Sequence, residues 1–84
     1  METAKKSLGQ HFLIDKNIRN KIINLTNIRN KNVLEIGPGN GFLTEGILNK
    51  NPNKLVLIEK DKRLYSKLYK KYKLNEKIEI YNKD

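Results

Sequence analysis

The 84-residue sequence predicts an α/β domain, one helix followed by β-α-β-α-β, which is half of a doubly wound parallel sheet. Three observations carry this. Apolar runs of strand length recur at "KNVLEI" (31–36), "KLVLIE" (54–59) and "KIEIYNKD" (77–84), with a segment of helical periodicity in each interval. The second run is almost continuously apolar, as expected of a strand buried on both faces of a parallel sheet. The first run ends in three alternating glycines, Gly37, Gly39 and Gly41, that lead straight into a helix.

In chain order, residues 1–14 form an N-terminal arm, basic and then mixed ("KKSLGQHFLI"). Asp15 suits a helix N-cap, and Ile18, Ile22 and Leu25 follow at i, i+4 and i+7, with Ile23 and Ile28 nearby; a helix over about 16–28 is expected. The strand at 31–36 enters the glycines. Residues from about 42 to 50 make the next helix, with Leu43, Ile47 and Leu48 inward, and "NPN" (51–53) ends it. After the strand at 54–59, Asp61 caps a helix that reaches Tyr72. There Leu64 and Leu68 pair at i, i+4, and Tyr65, Tyr69 and Tyr72 form an adjacent stripe. That stripe reads as core and edge packing rather than a base-stacking platform, with Lys67, Lys70, Lys71 and Lys73 as a solvated face. A third strand follows at 77–84, and residues 1–84 read as one partial domain without repeat or linker.

Composition bounds the function classes. A chain this short has a thin stability margin, and with no cysteine it has neither disulfides nor thiolate metal sites to supplement its core. One histidine and no dense carboxylate cluster predict no metal. No apolar run approaches the ~20 residues of a membrane span, and the start lacks a hydrophobic leader. The expectation is a soluble, cytoplasmic protein with no membrane partner. Eighteen Lys and Arg against nine Asp and Glu give a net charge of +9 and a pI near 9.9. That surplus favours a polyanionic partner, nucleic acid before membrane. Lys- and Asn-rich codon usage is the bland alternative.

The glycine loop says more. Glycine adopts backbone conformations closed to other residues and has no Cβ, so a bulky cofactor can lie on the turn. The next strand ends in Glu59, twenty residues beyond Gly39, where a carboxylate can accept both hydroxyls of a ribose. Loop and acid together point to a nucleoside-containing cofactor. The dinucleotide fingerprint G-x-G-x-x-G fails at its third glycine, which is Phe42 here. What stands instead is E-x-G-x-G-x-G, from Glu35 to Gly41, and an acid before the first glycine suits a ligand with positive charge, such as a sulfonium. The plain alternative is a tight strand–helix turn with both glutamates merely solvated.

"KKSLGQHFLID", "VLEIGPGNGFLT", "LIEKD" and "NKD" together resemble the start of the rRNA adenine N6,N6-dimethyltransferases, from Lys5 to Asp84. "GQHFL" is the most specific piece. "GPG" is closer to the small-subunit rRNA branch than to the antibiotic-resistance branch acting on large-subunit rRNA, while "YNKD" leans the other way. The resemblance implies a Rossmann-like domain that uses S-adenosyl-L-methionine, and a role in rRNA methylation, rRNA processing and ribosome biogenesis. It implies that Gln10, His11 (usually asparagine in the family) and Leu13 close over the methionine end of the cofactor. Gly37 and its neighbours would hold the loop beneath it, Glu59 the ribose hydroxyls, and Asp84 the adenine amino group. Lys5 and Lys6, flanking the arm, are the candidates for contact with ribosomal RNA phosphates.

The family's Asn-(Leu/Ile)-Pro-Tyr motif, where a flipped adenine is held for methyl transfer, has no counterpart among the 84 residues. The expectation is therefore the N-terminal, cofactor-binding half of such an enzyme, inactive by itself, with no catalytic residue assigned and a C-terminal half as its partner. A non-catalytic basic RNA-binding module and a dehydrogenase fragment remain as alternatives. With three parallel strands and an open edge, marginal stability or edge-strand self-association is also expected.

Overall fold

The computed structural model describes residues 15–84. The arm 1–14, and with it Lys5, Lys6, Gln10, His11 and Leu13, lies outside the described residues. Helix α1 spans Lys16–Ile23, and Asp15 caps it by accepting from the Asn17 and Ile18 amides at 2.9 and 3.1 Å. Strand β1 is Asn32–Ile36, helix α2 Phe42–Leu48, strand β2 Lys54–Ile58, helix α3 Lys62–Tyr72 and strand β3 Ile78–Tyr81. Asp61 caps α3 as expected, accepting from Arg63 and Leu64. The strands form one parallel sheet in the order β1-β2-β3.

Helix α1 is five residues shorter than its apolar spacing predicts. The segment after Ile23 is rich in Asn and Thr, whose side chains compete with the helix for backbone partners. Asn27 accepts from the Arg29 amide at 3.1 Å, and Asn30 adopts a left-handed φ of 61°. The inward stripe also differs. Arg19 and Ile23 are buried, whereas Ile22 is 46% and Leu25 83% exposed. Arg19 is tolerated inside because its guanidinium lies 4.3 Å from the centre of the Phe42 ring and Nη1 donates to the Phe42 carbonyl at 3.2 Å. The residue standing where a third fingerprint glycine would be thus anchors α1 to α2.

In a parallel sheet, paired residues share a face. Val33, Leu55 and Ile78 lie in one row and Glu35, Leu57 and Ile80 in the next. This face meets Ile23 of α1, Ile47 of α2, and Leu68 and Tyr72 of α3, and Leu55 and Leu57 at its centre are fully buried. Each such leucine contributes about 1.5–3 kcal/mol by leaving water. The opposite face carries Leu34, Ile36, Val56, Ile58 and Tyr81, with Leu34 57% and Ile36 74% exposed. The expected burial of β2 on both faces is therefore met on one face only. The reason is topological. The strand order never reverses, so two right-handed crossovers put both connecting helices on the same side.

Candidate functional site

The carboxyl ends of all three strands converge on Glu59. The Gly37 amide donates to the Ile58 carbonyl at 2.8 Å, extending the β1–β2 ladder by one bond. The chain then turns so that the Gly39 amide donates to Glu59 Oε1 at 3.0 Å, while the Asp61 amide donates to Oε2 at 3.0 Å. The Glu59 backbone is held from β3: its amide donates to the Tyr81 carbonyl at 2.9 Å, and Asn82 Nδ2 donates to the Glu59 and Lys60 carbonyls at 2.9 and 3.1 Å. Glu59 is only 4% exposed. A buried carboxylate is costly unless charge-assisted hydrogen bonds offset its desolvation, and these two amides supply them.

The glycines divide into two kinds. Gly37 and Gly39 have φ of 68° and 60°; a Cβ on Gly37 would meet nothing within 4 Å, and one on Gly39 only the Gly37 carbonyl at 3.9 Å. Both turn a bare backbone surface to open space beside Glu59, a cradle that any side chain would fill. Gly41 has a different task. A Cβ there would stand 3.2 Å from Leu68 Cδ2 and 3.9 Å from Tyr72 Oη, so its bareness lets the loop pack on α3. Gly46, not singled out in the sequence, serves close helix packing: a Cβ there would collide with Ile23 Cδ1 and lie 2.9 Å from Arg19 Cδ and Nε.

Beside the cradle is a cavity of about 200 Å³. Ile36, Gly37 and Ile58 form its apolar wall, Glu59 and Asp84 its acids, and Lys60 and Lys83 its basic rim. The structure thus brings Gly37, Glu59 and Asp84 together from three strand ends. A larger hollow of about 370 Å³ lies elsewhere, among residues 23–29 and 49–51, and no acid among the described residues lines it.

Glu35 is not on the cavity wall. It points to the helix-covered face, 8% exposed, and accepts from Thr44 Oγ1 at 2.6 Å. Burial pushes its carboxyl above the usual range, and the Thr44 hydrogen bond pulls it partly back. The contact ties the end of β1 to the first turn of α2. With both glutamates buried and hydrogen-bonded, the alternative of two solvated acids is overturned. Sequence reasoning also missed Thr44 and Asn82, whose roles depend on partners nine and more than twenty residues away.

The family model for ribosomal RNA adenine dimethylase matches residues 1–84. The chain belongs to the ribosomal RNA adenine dimethylase family. It is 54% identical over 81 residues to the Ribosomal RNA small subunit methyltransferase A of Pelagibacter ubique (strain HTCC1062), covering 96% of this chain and 30% of that protein. To the protein of the same name in Mycoplasmopsis synoviae (strain 53) it is 57% identical over 67 residues, covering 80% of this chain and 26% of the relative. Among solved structures, a dimethyladenosine transferase from Plasmodium falciparum superposes with a TM-score of 0.71 at 34% identity, over 83% of this chain and 26% of that one. The 23S rRNA methyltransferase ErmE superposes with a TM-score of 0.71 at 32% identity, over 83% of this chain and 29% of that one. The family resemblance read from "GQHFL", "GPG" and "LIEKD" is borne out, and so is the Rossmann-like methyltransferase fold. The chain spans less than a third of the length of these curated relatives.

The residues fit the family's cofactor, S-adenosylmethionine. The cradle leaves room against the backbone at Gly37 and Gly39. Each Glu59 oxygen accepts one amide, and a carboxylate oxygen has capacity for a further donor.

Proposed function

We propose that this chain is the cofactor-binding portion of an enzyme that transfers methyl groups from S-adenosylmethionine to N6 of adenines in small-subunit rRNA. The observation that carries the reading is the open cradle over Gly37 and Gly39 beside the two-amide clamp on Glu59, in a chain of this family. When bound, the cofactor supplies a methyl group activated on a sulfonium.

The chain's own residues bind and orient it. Gly37 and Gly39 let the backbone approach the ligand. Glu59, already fixed by two amides and the Asn82 bridge, accepts the ribose hydroxyls without having to reorganise. Asp84, on the cavity wall, accepts from the adenine amino group. Glu35 and Thr44 hold the loop's helix in place from behind. The family resemblance assigns Gln10, His11 and Leu13 to the methionine end of the cofactor and Lys5 and Lys6 to RNA phosphates. No Asn-(Leu/Ile)-Pro-Tyr stretch occurs in the 84 residues, so these residues by themselves bind the cofactor and do not methylate.

An amide-resolved NMR titration of the chain with S-adenosylmethionine, and separately with NAD, tests this. Shifts at Gly37, Gly39 and Glu59 with the first ligand alone are expected. Dispersed spectra that ignore S-adenosylmethionine, or respond equally to NAD, would overturn the assignment.

A further inference from the structure

We propose that the outer face of α3 is a docking surface for the phosphate backbone of structured RNA, leading up to the mouth of the cavity. The inference deepens the proposed function and rests on it for the identity of the RNA.

The charge of this chain is concentrated, not spread. Residues 60–73 contain seven of the eighteen basic residues and one of the nine acidic ones, so this sixth of the chain carries net +6 of the total +9. A codon-driven excess of lysine would not collect on one helix. Leu68 and Tyr72 turn α3 onto the core, and Lys62, Arg63, Lys67, Lys70 and Lys73 are all exposed away from it. Of the seven cations, Lys71 alone makes an ion pair among the described residues, with Glu45 at 3.3 Å.

The placement is unfavourable for the helix itself. Lys62 and Arg63 stand in the first turn, where no acid follows the cap and the helix dipole disfavours positive charge. Arg63 and Lys67, then Lys67 and Lys71, are like charges at i, i+4. An anionic partner relieves both. The start of α3 follows directly on the strand end that carries Glu59, and Lys60 and Lys83 already rim the cavity. A basic track therefore runs from the cavity mouth along the helix, about 16 Å at 1.5 Å per residue.

The occupant is RNA rather than a lipid surface because α3 turns its leucines onto the sheet and leaves only the half-exposed Tyr69 among its cations. Leu64, Leu68 and Tyr72 lie on its inner side, Leu68 and Tyr72 within the core, and a helix bound in a bilayer interface buries that side in lipid. Phosphate contact also matches the residue type, since lysine binds phosphate as a point charge without reading bases.

The test compares two quadruple variants in the natural full-length polypeptide that carries this chain. One is Lys62→Gln/Arg63→Gln/Lys67→Gln/Lys70→Gln. The other removes the same charge elsewhere, at the exposed Lys21, Lys31, Lys50 and Lys77, each →Gln. Binding to a small-subunit rRNA fragment is measured across a potassium chloride series, with S-adenosylmethionine affinity measured in parallel. The α3 variant should lose about 3 to 4 units of the log–log salt slope and about tenfold or more in affinity, and the control variant less than about one unit of slope. Equal slopes for the two variants would overturn the proposal. So would wild-type binding to phosphatidylglycerol vesicles that exceeds RNA binding at the same salt and vanishes in the α3 variant. Absent cofactor binding in the wild type would count against the proposed function alone, because the salt slopes judge the surface independently.

Discussion

Replacing Glu59 with glutamine tests the site where its geometry is tightest. The side chain keeps its length and loses one acceptor. In the wild type, Oε1 accepts from Gly39 and Oε2 from Asp61, each at 3.0 Å, in a residue 4% exposed. An amide has one oxygen, so its NH2 group must face one of the two backbone donors. One hydrogen bond to a charged group is lost, about 1.5–3 kcal/mol, and the other becomes a weaker neutral bond. That is a large fraction of the 5–15 kcal/mol typical of whole domains. The same substitution removes charge-assisted acceptance of a ribose hydroxyl, which weakens S-adenosylmethionine by about 10- to 100-fold. Urea unfolding followed by circular dichroism reads the first effect without ligand, and calorimetric titration reads the second. A Glu59→Gln protein with unchanged stability would refute the two-amide clamp. One with reduced stability but unchanged cofactor affinity would refute the ribose role and leave the clamp intact.

Gly46→Ala should destabilise by about 1–3 kcal/mol, because the added methyl must displace Ile23 and Arg19; the helix-propensity gain of about 1 kcal/mol offsets only part of this, and urea midpoints measure the balance. Glu35 gives a pH test. Its folded-state pKa is raised by burial above 4.5, so the folded state holds the proton more tightly and its contribution to stability falls as pH rises through that window. Glu35→Gln keeps an acceptor for Thr44 and cannot ionise, so the variant should gain on the wild type from pH 4 to pH 7; a constant difference across unfolding curves at these pH values would contradict the buried carboxylate. The 84 residues prepared alone should self-associate through the outer edge of β1, unpaired among the described residues, and the exposed Leu34 and Ile36. Leu34→Lys should reduce that association in sedimentation velocity, and a monomeric wild type at NMR concentrations would count against it.

Much of this was legible in the chain, for local reasons. Asp15 and Asp61 announce helix starts because a cap is made within three residues. The three apolar runs announce strands. Gly37, Gly39 and Glu59 announce the cradle because strand, turn and acid recur at a spacing set by the βαβ unit itself. The order of elements followed, and with it the fold.

Tertiary structure decided whatever depends on which face an element turns inward. The spacing of Ile18, Ile22 and Leu25 marks a plausible stripe, but α1 buries Arg19 and Ile23 instead, since Phe42 offers a ring for the guanidinium and Gly46 leaves space for Ile23. Three glycines look alike in sequence, yet Gly37 and Gly39 face open space and Gly41 faces Leu68. Two glutamates look equally ready for a ligand, but strand alternation sends Glu35 beneath the helices while the strand end leaves Glu59 at the cavity. The apolar run of β2 tells that both its faces avoid water; only the strand order tells that one of them is left uncovered here. The sequence by itself determined the elements and the chemistry they carry, because those follow from short-range periodicity and residue type. The burial and partners of each side chain were decided in three dimensions, where segments twenty residues apart compete for the same space.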